Sequence, residues 1–350
     1  EIRKKYLPSE LPVIMITAKN QVSDLVQGYS KGANDYLAKP FSKDEFLARI
    51  NTQLHLHNIN TITGRFMPKE FIRSLGLNSM LDLKLGDHAA QDVTVFFCDI
   101  RGYTTLSETM TPTENFKFVN AFAGRLGPVI KENGGFVHQY LGDCIMAIFN
   151  HSPEDCLKAS IEMQEVLREY NKERIGENRL PLRVGMGFHT GSLVMGIIGD
   201  HFRTEAATIS DTVNTASRME GLTKFFGANI LLSGDSLEDI RKNGDVEQYQ
   251  VRFMGKVQVK GRKEAIGVYE CIEGDEPTQR TLKKANISDF EEALGAYFDR
   301  DFVKSMTGFK KILKENPDDK AAYHYLAKSS RYVVDGVSED WTGIESMKTK

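Results

Sequence analysis

Hydrophobic and polar positions change their period along the first part of the chain, and each change predicts a new element. The apolar run at 12–18 is typical of a buried strand, and the amphipathic pattern at 21–32 predicts a helix. A second strand is predicted at 34–41, and a capping box that begins at Ser42 opens the next helix. Residues 1–57 are therefore predicted to form an α/β unit.

The middle of the chain mixes short apolar runs with amphipathic helices. Residues 58–91 are predicted to form a linker and N-terminal helical region, with one short helix at 68–75. Further along, the pattern predicts helices at about 113–131 and 154–171, and short strands lie between them. This mixture predicts one α+β domain at 92–273.

Apolar side chains recur at helical spacing after a polar linker at 274–279. They are Phe290, Ala293, Leu294, Tyr297, Phe302, Phe309, Leu313 and Pro317. The spacing resembles one tetratricopeptide-type helix pair, followed by a third helix at about 319–332, and a plain helical hairpin is the alternative. Because a single repeat cannot bury its own faces, we expect the tail at 286–350 to pack against the preceding domain or a partner. We expect its role to be structural or partner-binding and not catalytic.

Composition and charge exclude several classes of protein. A chain of 350 residues predicts two or three domains. With 45 Lys and Arg against 48 Asp and Glu, the net charge of −3 lacks the basic character of a nucleic-acid-binding protein. No apolar run approaches the roughly 18 residues of a membrane span, and the N-terminus is not a signal peptide, so we expect a cytoplasmic protein. The four cysteines form no CxxC pair, which argues against a zinc ribbon or a disulfide framework.

Two aspartates stand at the ends of apolar runs. The run VTVFFC leads directly into Asp99, and a carboxylate at the end of a buried strand is unfavourable unless something binds it. Asp143 follows Gly142 between the two apolar stretches of 134–149, which predicts a hairpin with the aspartate at its tip. Taken singly, each aspartate is equally well explained as an ordinary strand-end or turn residue.

Two further elements carry cations. Asn214 and Arg218 stand four residues apart, on one face of a predicted helix at 208–222. Lys260 emerges from the alternating strand VQVKGR. An exposed polar helix face and a surface lysine explain these residues equally well when each is taken alone.

In this order and spacing, the four elements together resemble the catalytic domain of class III adenylate and guanylate cyclases, over about Gly64–Ile272. The resemblance implies an α+β fold class, the class III nucleotidyl cyclase fold, in which helices flank a mixed sheet. A partial α/β receiver fragment would precede this domain and a C-terminal α-helical tail would follow it. The implied enzyme forms a 3′,5′-cyclic nucleotide and pyrophosphate from a purine nucleoside triphosphate.

Residues 1–57 resemble the second half of a response-regulator receiver domain, and a generic α/β fragment is the alternative. Thr17 matches its switch hydroxyl, Tyr36 its signalling aromatic residue and Lys39-Pro40 its lysine-proline step. The phosphoacceptor aspartate would lie upstream of Glu1, so we expect the chain to begin inside a longer protein. The resemblance also implies an upstream receiver partner, a sensor histidine kinase, in two-component-type signalling.

The cyclase resemblance implies a role for each candidate residue of a two-metal site. Asp99 and Asp143, with the Ile100 carbonyl, would hold two Mg²⁺ or Mn²⁺ ions, which suit carboxylates and substrate phosphates. The backbone amides at 101–104, among them Gly102, Tyr103 and Thr104, would receive phosphate oxygens.

The same resemblance assigns Asn214 to the ribose and Arg218 to the charge that develops on the α-phosphoryl group, where a planar cation fits. Lys260 and Arg203 would contact the terminal phosphates. In this family the metal aspartates come from one subunit, and the Asn, Arg and Lys come from the other. A head-to-tail homodimer with two equivalent sites is therefore implied.

The residues that would read the purine depart from the family pattern. Adenine is read by Lys with Asp or Thr, and guanine by Glu with Cys or a small residue, whereas this chain has Gln139 and Ala207. Gln139 carries a donor and an acceptor, and Ala207 offers no hydrogen bond. We expect ATP to be favoured, with GTP as the alternative substrate.

Two readings compete with an active cyclase. A non-catalytic regulatory module is one, although both aspartates and Arg218 are retained. A diguanylate cyclase is the other, but the chain lacks its GGDEF-type turn. Of the nearby histidines, we expect His138 to be structural and His189 to support a turn.

Overall fold

The computed structural model describes residues 1–18, 22–77, 79–258 and 265–346. The chain divides into two compact units, Glu1–Arg73 and Ser74–Lys350. Within the described residues, no helix is both long enough and apolar enough to cross a membrane.

The N-terminal region has the alternation of strands and helices that its hydrophobic pattern predicts. Its elements are α1 (Ile2–Lys5), β1 (Ile14–Thr17), α2 (Val22–Ser30), β2 (Asp35–Ala38), α3 (Lys43–Phe66) and α4 (Lys69–Ser74). β1 and β2 pair in parallel, which requires a crossover connection, and α2 lies within that connection. The predicted cap of α3 is present, since the Glu45 backbone N–H donates to Ser42 Oγ at 3.1 Å.

α3 continues beyond residue 57, where the sequence predicts a linker to begin. Two threonines of this extension satisfy their hydroxyls within the helix by bonding to carbonyls one turn earlier. Thr61 Oγ1 donates to the His57 carbonyl at 2.9 Å, and Thr63 Oγ1 donates to the Ile59 carbonyl at 3.0 Å. A run of Asn and Thr that indicates a linker in the sequence is therefore helical in the structure.

One mixed sheet organises the second unit. Its nine strands among the described residues are β3 (His88–Ile100), β4 (Gly135–Leu141), β5 (Cys144–Phe149), β6 (Val184–Gly199), β7 (Thr204–Ile209), β8 (Ile230–Ser233), β9 (Val251–Gln258), β10 (Ala265–Cys271) and β11 (Glu345–Ser346). The order is β11-β9-β10-β8-β6-β3-β5-β4, and β7 pairs with β6. The β6–β8 and β9–β11 pairs are parallel and the others are antiparallel. The predicted α+β class with a mixed sheet is confirmed.

Helices cover both faces of this sheet. They are α5 (Tyr103–Glu108), α6 (Pro112–Glu132), α7 (Pro153–Gly176), α8 (Asp211–Phe226), α9 (Gly234–Asn243), α10 (Pro277–Ala285), α11 (Ile287–Phe298), α12 (Phe302–Glu315) and α13 (Lys320–Asp335). Neighbouring residues of β8 point to opposite faces, so Ile230 and Leu232 join the core under α6, α7 and α9, whereas Leu231 joins a second core. α8 and the tail helices α11, α12 and α13 form that second core together with residues of β9 and β10.

The tail packs against the sheet domain, as expected for helices that cannot bury their own faces. Phe290, Phe309 and Tyr325 share the second core with Phe226 of α8. Tyr325 also donates a hydrogen bond to the Met254 carbonyl of β9 at 2.6 Å. The tail is therefore part of the same compact unit as the sheet.

Buried charges tie the tail to the sheet as well. Arg252 of β9 lies 2.6 Å from Glu270 of β10 and 2.6 Å from Asp319 at the start of α13. Lys283 of α10 pairs with Glu270 at 2.6 Å and with Asp275 at 2.7 Å. Breaking one partner of such a buried pair leaves an uncompensated charge, so this network fixes the position of α13 on the sheet.

Candidate active site

The two candidate metal aspartates lie at the same end of the sheet. Asp99 is the penultimate residue of β3, and its backbone is paired with Cys144 on one side and Gly185 on the other. Asp143 forms the tip of the hairpin between β4 and β5, and Gly142 adopts the left-handed conformation (φ 68°) that this two-residue turn requires. Because Cys144 pairs with Asp99 and directly follows Asp143, the two aspartates are close, and their side chains share a hydrogen bond.

The electrostatics of the pair show how close the two groups are. Burial, the hydrogen bond with Asp99 and the negative charge of Asp99 together raise the pKa of Asp143 to about 6, and burial has the largest effect. Two carboxylates in this position need a shared proton or a cation between them. The donor set of two carboxylates with the adjacent, buried Ile100 therefore suits a hard divalent cation.

The carboxylate pair is not a closed protein cage for a metal. Among the described residues, no group of three or more His, Cys, Asp and Glu side chains is arranged to hold one. Mg²⁺ is usually held by one or two carboxylates together with substrate phosphates, so a site of two aspartates matches that ion when a phosphate is also present.

Two residues that the sequence analysis missed complete the carboxylate site. Lys224 Nζ, near the end of α8, lies 2.6 Å from Asp99 Oδ2. Glu220 stands one turn earlier on α8 and is buried, with 9% of its surface exposed. Burial raises the pKa of Glu220 to about 7, and the negative charge of Asp99 adds to the shift. The sequence does offer a sign of these two residues, because they stand four positions apart and follow Arg218 on the same helix.

Glycines in β6 allow α8 to approach this end of the sheet. A Cβ at Gly187 would collide with the backbone of Glu220, and one at Gly185 would collide with the side chain of Thr223. Glycine in a strand often marks such a close approach of another backbone. The segment of His189, which is expected to support a turn, lies within the same strand, and His189 Nδ1 is 2.8 Å from Ser233 Oγ.

α8 does not bring Asn214 to the aspartates of its own chain. The helix starts beside β6, where Thr212 Oγ1 donates to the Ser192 carbonyl at 2.7 Å, and it ends beside Asp99. Asn214 precedes Lys224 by ten residues, or about 15 Å along the helix axis. Arg218 precedes Lys224 by six residues, or about 9 Å. Asn214 is exposed and Arg218 is half-buried, so both side chains reach the surface.

The two purine positions are also far apart within one chain. Through the β4–β5 and β5–β3 pairings, Gln139 lies level with Phe97. Through the β7–β6 and β6–β3 pairings, Ala207 lies level with His88. Nine residues of β3 separate these levels, or about 30 Å at 3.3 Å per residue. One chain therefore does not form a pocket that contains both Gln139 and Ala207.

The phosphate-binding candidates occupy different environments. Gly102 adopts the left-handed conformation (φ 69°) at the start of α5, and Thr104 is exposed. Tyr103 donates its hydroxyl to Asn115 Oδ1 at 3.0 Å, which fixes its ring. Arg203 is exposed just before β7 and pairs with Glu205. Lys260 lies outside the described residues.

His138 and the cysteines show no sign of a chemical role. Burial lowers the pKa of His138, which favours the neutral imidazole. Cys98, Cys156 and Cys271 are buried and Cys144 is half-buried; all four are free thiols. Burial raises the pKa of each thiol, so none is activated as a thiolate nucleophile.

Comparison with known proteins matches both regions of the chain. The adenylate and guanylate cyclase catalytic domain family matches residues 86–271, and the response regulator receiver domain family matches residues 1–51. An adenylate cyclase of Anabaena cylindrica is 42% identical over 212 residues, which are 59% of this chain and 42% of that protein. The terminal-differentiation-specific adenylate cyclase of Dictyostelium discoideum is 29% identical over 279 residues, 78% of this chain and 13% of that protein.

The fold has a close structural counterpart. The solved structure of a bacterial light-regulated adenylyl cyclase aligns with a TM-score of 0.58 at 19% identity, covering 77% of this chain and 87% of that one. At this identity the likeness concerns the fold alone. The chain spans less than half the length of the two curated relatives named above.

Proposed function

The chain belongs to the adenylate and guanylate cyclase catalytic domain family, and from that premise we propose that it converts ATP into 3′,5′-cyclic AMP and pyrophosphate. GTP is the alternative substrate. The observation that carries the proposal is the apposition of Asp99 and Asp143 at one end of the sheet, where Asp99 contributes to the raised pKa of Asp143. The Anabaena relative, which shares 42% identity, is an adenylate cyclase. This similarity is the reason for proposing ATP and not GTP as the substrate of the present chain.

Asp99, Asp143 and the Ile100 carbonyl would hold two Mg²⁺ or Mn²⁺ ions. When bound, these ions would supply Lewis-acid activation of the ribose 3′ hydroxyl and neutralise charge on the triphosphate. The structure supports the assignment in two ways: the carboxylates are close enough to raise the pKa of Asp143, and a cation, the Lys224 ammonium, already contacts Asp99.

The reacting groups would be completed by a second copy of the chain in a head-to-tail homodimer. Asn214 and Arg218 lie along α8 away from Asp99, and Ala207 lies about 30 Å from Gln139 along the sheet. In a head-to-tail pair of copies, Asn214, Arg218 and Ala207 of one chain can face the aspartates and Gln139 of the other chain. Large apolar side chains exposed on the β4–β5 hairpin and the β6–β7 arm are consistent with this contact; they are Tyr140, Leu141, Ile198, Phe202 and Ile209.

Within such a shared site, the partner chain would orient the ribose and stabilise the transition state. Asn214 would bond the ribose, and the fixed planar guanidinium of Arg218 would meet the oxygens of the α-phosphoryl group as their charge grows. The 3′ oxygen would attack the α-phosphorus in line, and the bond to the pyrophosphate oxygen would break. Arg203 and Lys260 are the proposed contacts of the terminal phosphates.

The remaining contacts would position the nucleotide. The backbone amides of Gly102, Tyr103 and Thr104 are proposed to bind phosphate oxygens beside the metal aspartates. Gln139 and Ala207 are proposed to face the purine. The receiver region at 1–51 points to control by an upstream sensor histidine kinase in two-component-type signalling.

The test of this proposal is the product itself. Purified protein should form cyclic AMP and pyrophosphate from ATP with Mn²⁺, and Asp143→Asn should lose at least about a hundredfold of that rate because it removes a proposed metal ligand. Asp289→Asn, which changes a half-buried aspartate on α11 of the tail that pairs with Lys311, is the matched control and should retain full activity. If the folded parent forms no cyclic product from ATP or GTP, the chain is a regulatory module.

A further inference from the structure

We propose that the Lys224 ammonium competes with the metal for the Asp99 carboxylate. It pairs with Asp99 until a divalent cation binds there, and it then transfers to Glu220. This inference rests on the proposed cyclase site, and it concerns the ion pair that a metal must displace when it binds to Asp99. It assigns a positioning role to two residues of α8 that contact neither the ribose nor the phosphates in the proposed reaction.

The first observation is the contact between Lys224 and Asp99. Lys224 Nζ lies 2.6 Å from Asp99 Oδ2, and 52% of the lysine side chain is exposed, against 17% for the aspartate. The ammonium is therefore held by one short ion pair on a flexible stem that solvent can reach. An exposed lysine is a compact point charge that can change partner easily.

The second observation is a vacant acceptor one turn away. Glu220 Oε1 is buried and accepts no hydrogen bond from any described residue. Arg101 does not supply that bond, because its Nη2 donates to the Thr223 carbonyl and to the Ala228 carbonyl. A buried carboxylate oxygen without a donor is unfavourable, so a second position for the ammonium is already present.

The helix geometry connects the two positions. Glu220 and Lys224 stand four residues apart with the glutamate nearer the N-terminus, which is the favourable orientation for an ion pair on a helix. The lysine can therefore move from Asp99 to Glu220 by rotating its side chain, without moving α8. A divalent cation on Asp99 would repel the ammonium, and Glu220 would receive it.

The proposal makes opposite predictions for the two residues in a metal-binding experiment without nucleotide. Mn²⁺ is titrated into the full chain, and free Mn²⁺ is followed by electron paramagnetic resonance. The initial slope of bound against free metal compares affinities without saturation. Lys224→Met should tighten binding by up to about fivefold, because an ion pair no longer has to be broken. Glu220→Gln should weaken binding several-fold, because the displaced ammonium loses its second acceptor.

The double variant separates an exchange of partners from a simple change of local charge. If Lys224 moves to Glu220, Glu220→Gln should have little effect once Lys224→Met is present. If the two residues act only through their charges, their effects should add, and the exchange is refuted. Unchanged or weaker Mn²⁺ binding by Lys224→Met refutes the competition itself.

Three controls keep the result interpretable. Glu238 and Lys242 form a matched pair on α9, with the same spacing and orientation and a distance of 3.4 Å, and Glu238→Gln or Lys242→Met should leave Mn²⁺ binding unchanged. Lys224→Arg keeps the cation and should retain the parent affinity within a few-fold; a tightening as large as that of Lys224→Met would overturn the proposal. Asp143→Asn tests the metal site separately. If this variant binds Mn²⁺ as tightly as the parent does, the proposed cyclase site itself is wrong, and the lysine exchange that rests on it is wrong as well.

Discussion

Complementation between two inactive variants tests the proposed dimer. Asp99→Ala removes a metal ligand, and Asn214→Ala removes the ribose contact. In one chain these residues are separated by most of α8, since Asn214 lies about 15 Å along the axis from the residue that contacts Asp99. Each homodimer would carry the same damage in both of its sites, so each variant alone should be nearly inactive.

The size of the rescue follows from counting sites. Random exchange between equal amounts of the two variants gives about one half heterodimers, and each heterodimer has one intact site and one doubly damaged site. The mixture should therefore reach about one quarter of the parent activity per chain. The assay is cyclic AMP formation at saturating ATP and Mn²⁺, measured before and after the variants are incubated together.

A second mixture provides the matched control. Asp99→Ala and Asp143→Ala damage the same side of the site, so every site in their heterodimer lacks one aspartate. This mixture should stay inactive although its subunits exchange to the same extent. If exchange is demonstrated, for example with two differently labelled chains, and the first mixture also stays inactive, the shared-site dimer is wrong.

Three further predictions concern the tail and the purine pocket. Truncation after Glu273 should make the protein insoluble or lower its melting temperature by more than 10 °C, because it exposes the second core to solvent; a soluble fragment with the parent melting temperature would contradict this. Asp319→Asn should lower the free energy of unfolding by about 3 kcal/mol in denaturant titrations, whereas Asp289→Asn, at a half-buried aspartate paired with the exposed Lys311, should change it by less than about 1 kcal/mol; equal effects would show that the buried network adds nothing. Gln139→Lys with Ala207→Thr should raise the ATP to GTP ratio of kcat/KM roughly tenfold or more in mixed-nucleotide competition, because the new groups can bond adenine; an unmoved ratio would show that other residues read the base.

Local patterns predicted most of the elements, including the strand end that carries Asp99 and the hairpin tip that carries Asp143. The helices expected at about 113–131 and 154–171 are α6 and α7, at 112–132 and 153–176. Asp99 was placed correctly because an apolar run of one strand length leads into it, and Asp143 because Gly-Asp between two apolar stretches indicates a hairpin. Each of these two patterns covers only a few consecutive residues. The proposed metal site requires only that the end of β3 and the β4–β5 turn lie side by side.

The errors arose where a residue serves a distant contact. His189 in GFHTG is expected to support a turn, yet this segment continues β6. The two glycines of this segment are required by α8: a Cβ at Gly187 would collide with the backbone of Glu220, and one at Gly191 would lie 2.9 Å from Thr212 Oγ1. Sequence alone does not show which helix will lie across a strand, so it cannot distinguish this use of glycine from a turn.

Lys224 and Glu220 were missed for the same reason, since the sequence does not show that the end of α8 lies beside Asp99. Their position also indicates what α8 does in the proposed enzyme. Its first half carries Asn214 and Arg218, which would serve the site of the partner chain, whereas its second half carries Lys224, which contacts Asp99 of its own chain. In a head-to-tail dimer each α8 would therefore contact both sites. The end of the helix is held by the tail, because the Phe225 ring lies 4.4 Å from the His324 ring of α13. A single helix thus carries the contact with Asp99, the contact with the tail and, in the proposed dimer, the contacts with the site of the partner chain.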